Sequence, residues 1–141
     1  MFLMDFTHFY DVLRENINSY RGEYERIVDY APDLFRLLAD VLRSDELGSD
    51  ERLRISAAMG YLVAPYDVIP EEIYGPHGYI DDVYLCAVVV DELASRHGYG
   101  FLEEYWAGDE DLEYVIEECM ERASEILGEK TEEILSYAGL R

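Results

Sequence analysis

Lysine is almost missing from this sequence. Lys130 stands alone beside ten arginines, and these eleven cations face 32 Asp and Glu, a net charge of −21. That imbalance excludes a nucleic-acid groove, because phosphate binding needs clustered Lys and Arg. It argues equally against electrostatic docking on anionic lipid. Long apolar runs are missing as well. The longest, Val83 to Val90, is eight residues, against the ~20 needed to span a bilayer. Asp5 interrupts the first apolar residues too early for a secretory signal core, and no positive stretch precedes them. Cysteine is sparse. Cys86 and Cys119 have neither CxxC nor Cys/His spacing, which excludes a disulfide scaffold and a zinc site. Both read as small core side chains in a reducing cytoplasm.

What is present points to a packed protein. Half of the 141 residues are apolar and 13% are aromatic, a composition that disordered chains do not have. One domain, 1–141, is expected, burying about 68% of its unfolded surface. The acidity is graded: residues 1–44 carry 5 basic and 8 acidic groups, residues 45–98 carry 3 and 11, and residues 99–141 carry 3 and 13. Most of it reads as solvated helical exterior, with a partner-binding acidic face as the sharper alternative. An acid-rich, lysine-poor surface also suits high salt, where self-repulsion is screened; a codon bias toward arginine gives the same composition.

The periodicity predicts an all-α bundle of five to six helices. Phe6, Phe9, Tyr10, Leu13, Ile17, Tyr20, Tyr24, Ile27 and Val28 form one stripe at helical spacing. Pro32 opens a second helix with Leu34, Phe35, Leu38, Val41 and Leu42 inside. Ser49 is the expected cap of a third, whose inner face reads Leu53, Ala57, Met59, Tyr61 and Leu62, and which Pro65 ends near Ala64. Tyr79 to His97 is a fourth, apolar all round at its centre and therefore central in the bundle, with Gly98 as its stop. A fifth starts at Gly108 or Asp109 and buries Leu112, Val115, Ile116, Cys119, Met120, Ala123, Ile126 and Leu127. A short last helix, Thr131 to Tyr137, takes Thr131 as its cap.

Between the third and fourth helices lies a proline-rich elbow. Pro65-Tyr66-Asp67-Val68-Ile69-Pro70-Glu71-Glu72 is followed by Gly78-Tyr79-Ile80-Asp81-Asp82. Over roughly 56–95 this pattern resembles the YkvA-like family (domain of unknown function 1232): Pro-x-Asp-x-Ile-Pro-acidic, then Gly-x-x-Asp-Asp opening an apolar helix. Pro65, Asp67, Ile69, Pro70, Glu71, Gly78, Asp81 and Asp82 match position by position. The resemblance implies no reaction. It implies a peripheral membrane role by analogy with relatives whose hairpins are more apolar; here Glu71, Glu72, Asp91 and Glu92 flank the apolar core and argue against insertion.

Five carboxylates within sixteen residues, Asp67 to Asp82, repel one another unless a cation, a proton or donor groups relieve them. Two readings follow. In the architectural one, Asp67 accepts backbone N–H groups in a turn, Asp81 and Asp82 sit in a helical first turn that favours anions, and one buried Asp accepts from Tyr61, Tyr66 or Arg54. In the other, Asp67, Glu71, Asp81 and Asp82 hold Mg²⁺ or Ca²⁺, hard cations that take oxygen ligands, with His77 and Tyr61 as auxiliaries. The spacing is not that of an EF-hand, and the architectural reading carries more weight. The tyrosines around the motif (Tyr61, Tyr66, Tyr74, Tyr79 and Tyr84) read as core phenols or as an aromatic-lined recognition groove. No phosphate loop and no Ser/His/Asp or Cys/His nucleophile pattern is present, so catalytic residues are not assigned. The resulting expectation is a cytoplasmic, non-enzymatic interaction or scaffold module with an unidentified protein partner.

Overall fold

The computed structural model describes residues 6–19, 25–63 and 79–141. Among them are seven α-helices, one 3-10 helix and no strand, an all-α architecture. They are α1 (Phe6–Asn18), the 3-10 turn (Arg26–Tyr30), α2 (Ala31–Val41), α3 (Ser49–Val63), α4 (Ile80–His97), α5 (Tyr99–Glu103), α6 (Leu112–Leu127) and α7 (Lys130–Tyr137). The family-like elbow, residues 64–78, and with it Pro65, Asp67, Ile69, Pro70, Glu71, His77 and Gly78, lies outside the described residues.

α4 is the centre. It packs on α2, α3, α5, α6, α7 and the 3-10 turn, and Val83, Leu85, Cys86, Ala87 and Val90 are at 0% exposure. An apolar helix without a polar face has no other stable place. Gly98 ends it at φ +84°, a backbone region open to glycine. The opposing layers are Leu34, Phe35 and Leu38 of α2 and Val115, Ile116 and Cys119 of α6, all at 0–1%. Both thiols are free and buried, and burial pushes both upward from the ordinary thiol range. Neither is poised as a nucleophile.

Several expectations change. The long N-terminal stripe is not one continuous helix: α1 stops at Asn18, and Ile27 and Val28 are buried from a separate 3-10 turn. The 3-10 turn and α5 bring the described helices above the expected five to six; α5 follows Gly98 directly and packs Phe101 between His97 and Tyr105.

The helix starts also shift. Gly48, not Ser49, sits at the α3 cap: its carbonyl accepts the Arg52 N–H, and its own N–H donates to Glu51 Oε1 at 2.9 Å. This is the return half of a capping box, with Glu at the third helical position. The cap of α6 is Asp111, accepting from Tyr114 N, rather than Gly108 or Asp109. Thr131 does not cap α7; its hydroxyl donates to Gly128 O at 3.1 Å. On the predicted inner faces, Leu53 is 71% exposed and Ile126 39%. Ile55 and Ala58 take the inward positions of α3 instead. The described helices bury their apolar faces in one shared cluster.

Candidate functional site

The candidate site forms where α3 ends and α4 begins. Tyr61 sits in the last turn of α3, at 4% exposure. Tyr79 precedes α4, and Asp81 and Asp82 occupy its first turn, at 0% and 1% exposure. The Tyr61 hydroxyl donates to Asp81 Oδ2 at 2.5 Å, and Asp81 Oδ1 accepts the Asp82 N–H at 3.0 Å. Asp81 thus works twice. It serves one of the N–H groups that a helix start leaves without a carbonyl, and it bonds a phenol twenty residues earlier. The bond joins the last turn of α3 to the first turn of α4. Tyr61 also meets Tyr137 of α7 edge-on, with ring centroids 5.8 Å apart.

Of the proposed site residues, then, Asp81, Asp82 and Tyr61 come together in the core. Asp67, Glu71 and His77 fall in the undescribed elbow. Arg54 does not reach the buried acids. It forks onto both carboxylate oxygens of Glu92 at 2.8 Å each and donates to Leu140 O. No group of three His, Cys, Asp or Glu side chains suited to a metal ion occurs among the described residues. Of the five motif tyrosines, Tyr61, Tyr79 and Tyr84 are buried at 4–9% exposure. These three are core phenols and do not line an open groove.

A second polar cluster, absent from the sequence reading, ties α3 to the far end of α4. Glu51 is only 7% exposed. It accepts from Gly48 N, and its Oε2 lies 2.9 Å from His97 Nε2 and 3.7 Å from Arg96. Arg96 also pairs with Asp50 at 3.1 Å. The Gly48 N–H, then His97 and Arg96, hold the Glu51 carboxyl below the usual carboxylate range, against the opposing effect of burial. The glutamate three residues after a glycine was the available local signal; its partners on α4 were not local.

A depressed carboxylate makes stability depend on pH in one direction. Glu51 contributes fully above its unfolded value near ~4.3, and the contribution fades as pH falls through its lower folded value. Glu51→Gln keeps an acceptor for Gly48 but loses the charge. It is expected to cost about 1 kcal/mol at pH 7, the difference between a charged and a neutral hydrogen bond. The urea midpoints of variant and parent should converge below pH 4; a gap that stays constant down to pH 3 contradicts this.

The fold and the buried acidic clasp define a helical protein whose most distinctive residues are spent on joining two helices around an elbow. The chain belongs to the family described as protein of unknown function (DUF1232), whose model matches residues 51–88. That span runs from Glu51 through the clasp to the middle of α4. The chain is 40% identical over 129 residues to a protein of Methanothermobacter thermautotrophicus named uncharacterized protein ORF9, an alignment covering 92% of this chain and 88% of the relative. No solved structure matches it. No helix among the described residues is long and apolar enough to cross a membrane.

Proposed function

We propose that the protein is a non-enzymatic interaction module in which the α3–α4 clasp presents the elbow, residues 64–78, to a protein partner. One observation carries this reading: both acids of the Gly-x-x-Asp-Asp motif are withdrawn from solvent, and Asp81 is committed to Tyr61 and to the Asp82 N–H. Their burial and hydrogen bonds cross-link two helices and serve a helix start, which supports an architectural role for the motif. On this reading the whole chain is a single domain. A reducing cytoplasm is its proposed location, supported by the two buried free thiols.

The competing reading, a Mg²⁺ or Ca²⁺ site built from Asp67, Glu71, Asp81 and Asp82, is separated by titration. Calorimetry and thermal shift with Mg²⁺, Ca²⁺ and Mn²⁺ are expected to give no saturable heat and no rise in melting temperature. A saturable heat lost in Asp67→Asn replaces the module with a cation-binding protein. Flotation with liposomes is expected to leave the chain in solution; co-flotation restores the peripheral-membrane analogy.

A further inference from the structure

At the opposite end of the α3–α4 pair from the clasp, the two helices line an open groove of about 690 Å³. It lies about 16 Å along α4 from the clasp, the rise of the eleven-residue step from Asp81 to Glu92. Its apolar part consists of Val89 and Leu93, buried at 1% and 3%, and of Leu53, which is 71% exposed. Leu53 is the most exposed of the large apolar side chains among the described residues. Burying such a side chain is favourable, and here it stands in the wall of the groove.

The rim is charged with one sign in excess: Asp50, Glu51, Asp91 and Glu92 against Arg54 and Arg96. Both arginines are already engaged, Arg54 with Glu92 and Leu140 O, Arg96 with Asp50. Asp91 has no ion-pair partner among the described residues, and the Asp50 side chain is 67% exposed. An anionic occupant would meet this excess acid with every groove cation taken. A second copy of a chain carrying −21 would meet the same repulsion.

We propose that the α3–α4 groove seats a cationic amphipathic segment of a protein partner. Its apolar face packs on Leu53, above the buried floor at Val89 and Leu93, and its Lys or Arg side chains face Asp91 and the exposed Asp50. This is the helix-in-groove mode, in which a few apolar anchors supply affinity and charge supplies selection and approach rate. The proposal rests on the reading of the protein as an interaction module, and it adds a contact surface on the far half of α4.

The test uses the full chain and two labelled 16-residue peptides of helical apolar spacing, one of leucine and lysine, the other of leucine and glutamate, followed by fluorescence anisotropy. The lysine peptide is expected to bind saturably and the glutamate peptide not to bind. Leu53→Asp is the decisive variant. It makes the chain more acidic, so binding by charge alone would hold or strengthen; the groove requires at least tenfold weaker binding. Asp91→Lys should weaken it about fivefold. Ile126→Asp, the same charge change elsewhere, should leave it within twofold. Equal binding to Leu53→Asp and to the parent overturns the proposal. So does a concentration-dependent dimer abolished by Leu53→Asp, which makes a second copy the occupant. A peptide lost on Asp67→Asn but kept on Leu53→Asp overturns the groove and leaves the elbow reading standing.

Discussion

Replacing Tyr61 with phenylalanine is expected to lower stability by about 2 kcal/mol, and replacing Asp81 with alanine by about 3 kcal/mol. A hydrogen bond to a charged group contributes about 1.5–3 kcal/mol, and a buried donor left without its acceptor costs about 1–3 kcal/mol. Tyr61→Phe removes the phenol that donates to a fully buried carboxylate. Asp81→Ala removes the acceptor of both the Tyr61 hydroxyl and the Asp82 N–H. Because the two substitutions delete one shared interaction, the double variant should lose less than the sum of the singles, by 1 kcal/mol or more, roughly the coupling expected of contacting residues. Urea midpoints read at an unchanged denaturant slope measure this. Additive losses would mean that the two groups do not act together, and the clasp would no longer explain why a Tyr in α3 and an Asp in α4 belong to one structural unit.

The second large effect separates two leucines. Leu85→Ala, in the middle of α4 and at 0% exposure, is expected to cost about 3–4 kcal/mol. Lost transfer energy and the cavity left behind add when neighbours cannot collapse. α4 has neighbours on nearly every side, so collapse is restricted. Leu53→Ala is expected to change stability by less than about 0.5 kcal/mol, as surface substitutions do, despite its place in the apolar pattern of α3. Thermal or urea unfolding of the two variants decides the matter. Comparable losses would put Leu53 in the core and remove the groove's exposed anchor.

Leu53 shows where sequence reasoning stops. On α3 the apolar positions Leu53, Ile55, Ala57, Ala58, Met59, Tyr61 and Leu62 surround most of the helix. Their pattern admits more than one inward stripe, and the choice falls to the partner helix. Packed on α4 and α2, α3 buries Ile55, Ala58, Met59 and Leu62, and Leu53 is left outside. The caps show a milder version. Ser49, Gly108, Asp109 and Thr131 are all chemically suitable, yet Gly48 and Asp111 hold two of the starts, because the return bond from Glu51 and the Asp111 bond to Tyr114 N set the frame. The break after Asn18 escaped the stripe for a related reason. Helical spacing survives a change of helix whenever the flanking segments bury the same kind of side chain.

Other features were legible because they are local or compositional. An apolar run with no polar face has to be central, and α4 is. Two cysteines without ligand spacing have to be packing residues, and both are buried. Pro32 at the start of α2, Gly98 and Gly128 at helix ends, and the all-α class follow from backbone preferences that act within a few residues. The family followed from the order and spacing of the elbow motif. What required the folded chain is the pairing of distant groups: Tyr61 with Asp81, Glu51 with His97, Arg54 with Glu92 and the carbonyl of Leu140. Each is a short-range contact between residues that the sequence holds 20 to 86 positions apart. A polar group finds its partner by distance in space, and only the packing of α3 against α4 and the C-terminal residues brings those distances below 3.5 Å.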